Sequence, residues 1–98
     1  MQTIGNQRLL ATTTESSYPL PSNCRRLDLT NASHAVIRYS FVTGKVNDPS
    51  ILENVTYLEF ETLHPGQSQV HVMRLASGTL YYASNFDGAE FHVTPYID

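Results

Sequence analysis

The chain has 98 residues, the size of one domain, and a net charge of −3 from six basic and nine acidic side chains. Its arginines are scattered and lysine occurs only at Lys45, so no basic patch forms and we expect no nucleic-acid binding. No run approaches the roughly 20 apolar residues of a membrane helix, and residues 1–5 lack the features of a signal peptide. We therefore expect synthesis in the cytoplasm, without secretion and without a membrane partner.

The composition favours a protein that packs against other proteins. Charged residues make up 15% of the chain, against about 25% in an average protein, and serine and threonine are abundant. Cys24 is the only cysteine, which excludes an intramolecular disulfide. We expect it to be a small buried side chain.

The N-terminal stretch predicts an arm followed by one domain. Residues 1–8 are polar and contain a glycine, so we expect a loose arm at 1–8 and a folded domain at 9–98. Residues 9–14 are the first predicted strand and residues 15–17 a turn. Residues 18–21 contain two prolines, which remove backbone donors, so this piece is expected to be extended and to lie at a sheet edge.

Alternating apolar residues predict two central strands. The first spans residues 25–30, with Leu27 and Leu29 pointing inward. The second, residues 35–42, is the strongest strand pattern in the chain. The apolar side chains that share one of its faces are Ile37, Tyr39 and Phe41.

The middle of the chain predicts a long loop and one further strand. Residues 43–50 contain glycine, asparagine, aspartate and proline, which favour a loop. Residues 51–54 are either a single helical turn or a continuation of that loop. Residues 55–61 alternate again, with Leu58 and Phe60 expected inward.

The C-terminal third predicts strands separated by tight turns. Pro65-Gly66 is a turn, and Val70 and Val72 then alternate with polar residues, as on a strand with one buried face. After a second turn at residues 77–78, the strand at 79–83 is expected to complete a hairpin. Asp87-Gly88 is the strongest turn dipeptide. The last strand is predicted at 90–94, with Phe91 and Val93 inward and Pro95 as its end.

These patterns predict an all-β protein of seven to eight short strands, about ten residues apart. No helical period exceeds one turn. The favoured fold is a single small antiparallel β-sandwich, of jelly-roll or immunoglobulin-like type. A small β-barrel is the alternative.

Groups that support catalysis or metal binding are sparse. His71 and His92 are expected on the outer faces of their strands, where the rings would meet if those strands pair. Two imidazoles without a third ligand do not make a zinc site. Glu59 and Glu61 share one strand, whereas glycosidase carboxylates face each other across a cleft. We therefore predict no metal, no cofactor and no enzyme.

Carbohydrate binding is an alternative that the sequence leaves open. The chain has six tyrosines, and aromatic rings on a sheet face stack against sugars. Strand alternation sends one of Tyr81 and Tyr82 inward and the other outward. An outward tyrosine is more typical of protein contacts.

Four stretches in order carry a resemblance to a known family. They are L-P-S-N-C at 20–24, T-N-A-S at 30–33, L-H-P-G-Q-S at 63–68 and L-Y-Y-A-S at 80–84. In this order they resemble small β-sandwich structural proteins of tailed bacteriophages, over roughly residues 11–94. The family pattern has a shorter, glycine-rich middle than residues 43–54 provide here.

The resemblance implies a non-enzymatic virion protein, first a capsid decoration (cement) protein that binds the outer surface of the head and stabilises it. A tail, baseplate or fibre module with host-glycan binding is the alternative. The expected partners are the major capsid protein or other virion proteins, together with further copies of the chain as a trimer at local threefold points. The candidate contact residues are Gln2, Thr3, Ile4, Asn6, Arg8, Lys45, Asn47, Asp48, Ile51 and Tyr81.

Overall fold

The computed structural model describes residues 2–46, 60–76 and 78–97. In this described part the chain forms nine strands, namely β1 (Gln2–Thr3), β2 (Gln7–Ala11), β3 (Ser16–Pro19), β4 (Cys24–Asn31), β5 (Ile37–Ser40), β6 (Glu61–Leu63), β7 (Ser68–Ala76), β8 (Thr79–Ser84) and β9 (Ala89–Ile97). They build two antiparallel sheets. The predicted all-β sandwich is confirmed, and the barrel alternative is wrong.

The strand order is that of a jelly roll. Sheet A has the order β1-β9-β4-β7, with β2 also paired to β9, and sheet B has the order β3-β8-β5-β6. The pairs β2–β9, β3–β8, β4–β7 and β5–β6 are nested, like one long hairpin rolled into two layers. In consequence β7 and β8 lie in opposite sheets, so the hairpin expected between them is wrong. Among the described residues, no helix is long and apolar enough to cross a membrane.

The core lies between the two sheets. Leu27 and Leu29 of β4 are fully buried in it, as predicted. The ring of Phe91 on β9 lies 5.4 Å from that of Tyr82 on β8, so aromatic packing joins the layers. Tyr82 is buried and Tyr81 is partly exposed, which confirms the expected division between this pair.

Strand β7 faces opposite to the prediction. Val70 and Val72 are 48% and 85% exposed, whereas His71 is partly buried and lies opposite the core residue Leu27. Alternating apolar and polar residues fit a strand with either face buried, so the residues packed against β7 decide which of its faces points into the core. Because β7 is the outermost strand of sheet A in the described chain, its inward side chains reach the rim of the core. His71 finds a polar partner there in Tyr39.

Residues 2–8, expected to form a loose arm, pair along β9 instead. Strand β1 lies opposite residues 96–97, and β2 begins opposite Val93. Residues 4–6 therefore face only residues 94 and 95, which makes a bulge. Gly5 lies in this bulge with φ 103, a conformation that favours glycine.

Pro95 does not end the last strand, contrary to the prediction, because β9 runs to Ile97. The Pro95 carbonyl accepts a hydrogen bond of 2.9 Å from the amide of Ile4. In a strand, the N–H and C=O of one residue point to the same side. The donor that proline lacks would therefore point at the bulge between β1 and β2, where the regular ladder is interrupted.

The outer face of sheet B is buried over β5 and the neighbouring end of β8. All of β5 is buried, and so is Ala83 on β8, whose side chain points away from the core. Val46 is fully buried outside the core cluster, and the Phe60 ring lies 4.8 Å from the Arg38 guanidinium. The Glu15 carboxylate accepts hydrogen bonds from Thr43 and Gly44. Phe60 therefore covers Arg38 on this face, and the loop after β5 is tied to Glu15 next to the start of β3.

Several predicted boundaries shift or lie outside the described residues. The first predicted strand, 9–14, is observed at 7–11, and the predicted turn at 15–17 enters β3, which lies at the sheet edge as expected. The predicted strand 35–42 stops at Ser40, and Phe41 and Val42 are 38% and 47% exposed. The helical turn at 51–54 and most of the strand at 55–61, including Leu58, lie outside the described residues.

Candidate functional site

The two histidines singled out for zinc lie on opposite sides of sheet A. Strand β4 separates β7 from β9. His71 faces the space between the sheets, and His92 faces outward between buried Phe91 and Val93. The expectation that both rings point outward is therefore wrong for His71. Within the described residues, no group of three or more His, Cys, Asp or Glu side chains is placed to hold a metal ion.

A polar bridge joins the two sheets at one rim. The Tyr39 hydroxyl lies 2.6 Å from Nε2 of His71 and donates to the Glu61 carboxylate at 3.1 Å. Burial, followed by the Glu61 charge, raises the pKa of Tyr39 above its ordinary value. The phenol therefore stays protonated, which suits a structural bridge and not a nucleophile.

The outer face of sheet A carries a charged ladder across β2 and β9. Arg8 Nε donates to Oε1 of Glu90 at 2.6 Å, and Nε2 of His92 lies 2.8 Å from Oε2 of the same carboxylate. The His92 hydrogen bond, followed by that of Arg8, lowers the pKa of Glu90. Glu90 is thus held ionised and in a fixed position.

A second ion pair lies on β4 beside an aromatic ring. Arg26 donates two hydrogen bonds to Asp28, at 2.7 and 3.0 Å. Its guanidinium lies 4.9 Å from the centre of the Tyr96 ring. Arginine and tyrosine in this stacked arrangement are typical of protein interfaces.

Exposed aliphatic side chains lie next to these charges. Val72 pairs with Arg26 and Val70 with Asp28 across β4 and β7. We call this surface the docking face. It consists of Arg8, Arg26, Asp28, Val70, Val72, Glu90, His92, Thr94 and Tyr96. Fixed charges, one aromatic ring and exposed valines suit adhesion to a protein surface.

The predicted contact residues are divided between the two sides of the sandwich. Gln2, Thr3, Ile4 and Asn6 are exposed along the β9 border of the docking face, and Arg8 belongs to it. Lys45 is exposed in the loop after β5, a strand of sheet B, the sheet that also holds half-buried Tyr81. The other three, Asn47, Asp48 and Ile51, lie outside the described residues.

Sequence reasoning missed the β7 part of the docking face. Arg26 and Asp28 alternate with buried Leu27 and Leu29, so their outward direction followed from the pattern. The exposure of Val72 did not, because its strand was assigned the wrong buried face.

The remaining candidates are structural or lie outside the described residues. Cys24 is fully buried, which confirms the prediction, and burial raises the pKa of its thiol. Glu61 accepts from Tyr39, whereas Glu59 lies outside the described residues.

A scan against protein-family models finds no match, and searches of curated proteins and of solved structures find none either. The resemblance to phage structural proteins therefore stays an expectation from the sequence.

Proposed function

We propose that the chain is a non-enzymatic structural protein of a phage virion that docks through the outer face of sheet A. The observation that carries this proposal is the difference between the two sheets. On the outer face of sheet B, Arg38 and Ser40 of β5 and Ala83 of β8 are buried, and the Phe60 ring lies over Arg38. The outer face of sheet A exposes Val70, Val72 and two fixed sets of charges. The sequence resemblance supports the virion as the setting.

A capsid decoration protein is the role that fits this surface first. A specific interface takes about 800 Å² from each partner, roughly one seventh of this chain's 5737 Å². The paired charges of the docking face are already ordered, so little side-chain entropy is lost on binding. Repeated over a symmetric capsid surface, many such contacts add through avidity. The partner is the major capsid protein, and a trimer of the chain fits the local threefold points.

Co-sedimentation with undecorated capsids tests the proposal. The capsids are assembled from the major capsid protein encoded in the same genome, and light scattering first gives the mass of the free chain, 11.0 kDa as a monomer. Val72→Asp places a charge on the β7 side of the docking face, at its most exposed apolar residue, and is expected to weaken binding about tenfold or more. The matched control is Val42→Asp, an exposed valine that follows β5 in the other sheet.

If both variants lose binding equally, or if Val72→Asp loses none, the docking face is not the surface that binds the capsid. Capsid binding absent from the unmodified chain, together with binding to purified tails, would replace the head by a tail, baseplate or fibre location. Light scattering decides the trimer separately, since a mass near one chain excludes it in solution.

A further inference from the structure

A cleft of about 500 Å³ opens at one end of the sandwich, between the loops β4–β5 and β8–β9. Sites for small molecules usually measure about 300–1,000 Å³. The residues that line it are Ala32, Ser33, His34, Ala35, Phe86, Gly88, Ala89 and Glu90. Glu90 is the residue that this cleft shares with the docking face.

The two loops that form the cleft are tied together on both sides of it. The amide of Ala32 donates to the Glu90 carbonyl at 3.0 Å, and the amide of Val36 donates to Oδ1 of Asn85 at 3.2 Å. Gly88 is anchored in turn, because its amide donates to the Ala11 carbonyl at 2.8 Å. The walls are therefore preorganised, which lowers the entropic cost of binding a ligand.

The surface of the cleft suits a ring with one apolar face. Phe86 is 65% exposed at the rim, although it is a large apolar side chain. Ala89, which is buried, and Ala35, which is partly buried, supply apolar surface beside it. A sugar ring has a C–H face that stacks on an aromatic ring and hydroxyls at its edge. The exposed His34 imidazole and the Glu90 carboxylate offer hydrogen bonds to such hydroxyls.

The charges at the cleft favour a neutral ligand. The described lining contains no lysine or arginine to pair with an anion. A cation gains little either, because the Glu90 charge is already paired with Arg8. A neutral ligand with hydroxyl groups needs neither a basic side chain nor an unpaired carboxylate in the lining.

We propose that this cleft binds a neutral hexopyranose, such as the terminal sugar of a glycan, stacked on Phe86 and hydrogen-bonded to His34 and Glu90. The site adjoins the docking face, with which it shares Glu90, but sugar binding does not require the capsid proposal. It also places glycan binding on a phenylalanine at the loop end, whereas the sequence suggested outward tyrosines on a strand.

Titration of the ¹⁵N-labelled chain, followed by amide chemical shifts, tests the site directly. The ligands are the methyl glycosides of glucose, galactose, mannose and N-acetylglucosamine, with N-acetylneuraminic acid as an anion and tetramethylammonium as a cation. At least one neutral sugar is expected to shift amides of residues 32–36 and 85–90. Phe86→Ala should weaken its binding about tenfold or more, since a lost stacking contact has that order of effect, and Phe86→Trp should retain it.

The matched control is Val72→Ala, an exposed apolar truncation on β7 that should leave sugar binding unchanged. The proposal is overturned if no neutral sugar shifts these amides at about 20 mM, a concentration that detects millimolar dissociation constants. It is also overturned if only the anion or the cation binds, or if Phe86→Ala binds as well as the unmodified chain. Capsid co-sedimentation of Phe86→Ala keeps the two proposals apart, because docking should survive in that variant.

Discussion

The hydroxyl of Tyr39 on β5 lies 2.6 Å from Nε2 of His71 on β7 and so joins sheet B to sheet A at their rim. The same hydroxyl lies 3.1 Å from the Glu61 carboxylate on β6, so it connects residues of three strands. The ring of Phe41 lies edge-on to both Tyr39 and His71, with centroids 6.4 and 5.6 Å away. The rim of the core is therefore held by directed polar contacts as well as by apolar packing.

Removal of the Tyr39 hydroxyl should lower the free energy of unfolding by about 1–2 kcal/mol, because it leaves the inward-facing His71 without that partner. The variant is Tyr39→Phe, and urea denaturation at neutral pH measures the change. The matched control is Tyr81→Phe on the opposite face of sheet B, where a change within about 0.5 kcal/mol is expected. Equal effects of the two substitutions would show that the bridge to His71 adds no stability.

The position of Tyr39 shows how far the sequence could predict this fold. Leu27, Leu29 and Phe91 were placed correctly because their strands have core on one side and solvent on the other. Strand β7 was inverted because its valines and histidine alternate equally well in either sense. Only the neighbouring Tyr39, remote in sequence, makes the inward position favourable for His71.

The sequence could not predict the docking face or the cleft, for related reasons. Pro95 was assigned to a strand end because the bulge opposite it depends on pairing with residues 4–6, about 90 positions away in the chain. The exposure of Phe86 depends on how two separate loops are tied together. Local periodicity predicts which strands form, but such contacts between distant segments decide which residues remain exposed.

The charged ladder on sheet A should make stability depend on pH in the acidic range. Because hydrogen bonds from His92 and Arg8 lower the pKa of Glu90 below 4.5, its stabilising contribution is present above that pH and is lost as the pH falls through the folded-state pKa. In Glu90→Gln, the melting temperature should therefore fall less steeply between neutral pH and pH 3 than in the unmodified chain. Thermal unfolding followed by circular dichroism gives the melting temperature of both proteins as a function of pH. Parallel curves would show that ionised Glu90 does not stabilise the folded chain.

The thiol of Cys24 should be protected in the folded chain. It is fully buried, and burial raises its pKa, so little reactive thiolate is present at neutral pH. We expect a thiol-reactive disulfide reagent to label it about 100-fold or more slowly in buffer than in urea, since labelling requires opening of the structure. Cys24→Ala serves as the blank, and equally fast labelling in both conditions would show that the site is open.

Asn31, at the end of β4, should be the most sensitive polar residue of the loop end. It is fully buried, and its Nδ2 donates to the carbonyls of Ala35 and Leu63 at 2.7 and 2.9 Å. Its Oδ1 accepts from the amide and the hydroxyl of Ser33. Asn31→Ala removes all four of these hydrogen bonds and a fully buried side chain, and should cost about 2–4 kcal/mol in urea denaturation. The matched control is Asn6→Ala, an exposed asparagine, for which a change within about 0.5 kcal/mol is expected.

Asn31→Asp separates lost donors from lost packing, since it keeps the shape and the acceptor oxygen but turns a negative charge toward two carbonyls. Burial and the two carbonyls that face the new oxygen should raise the pKa of the carboxyl in the folded state, so this variant should regain stability as the pH falls and the group is protonated. Asn31→Ala has no such group and should show no corresponding recovery relative to the unmodified chain. Denaturation at pH 7 and pH 5 measures the difference. The same pH response in both variants would mean that the amide hydrogen bonds to Ala35 and Leu63 do not determine the stability of this end.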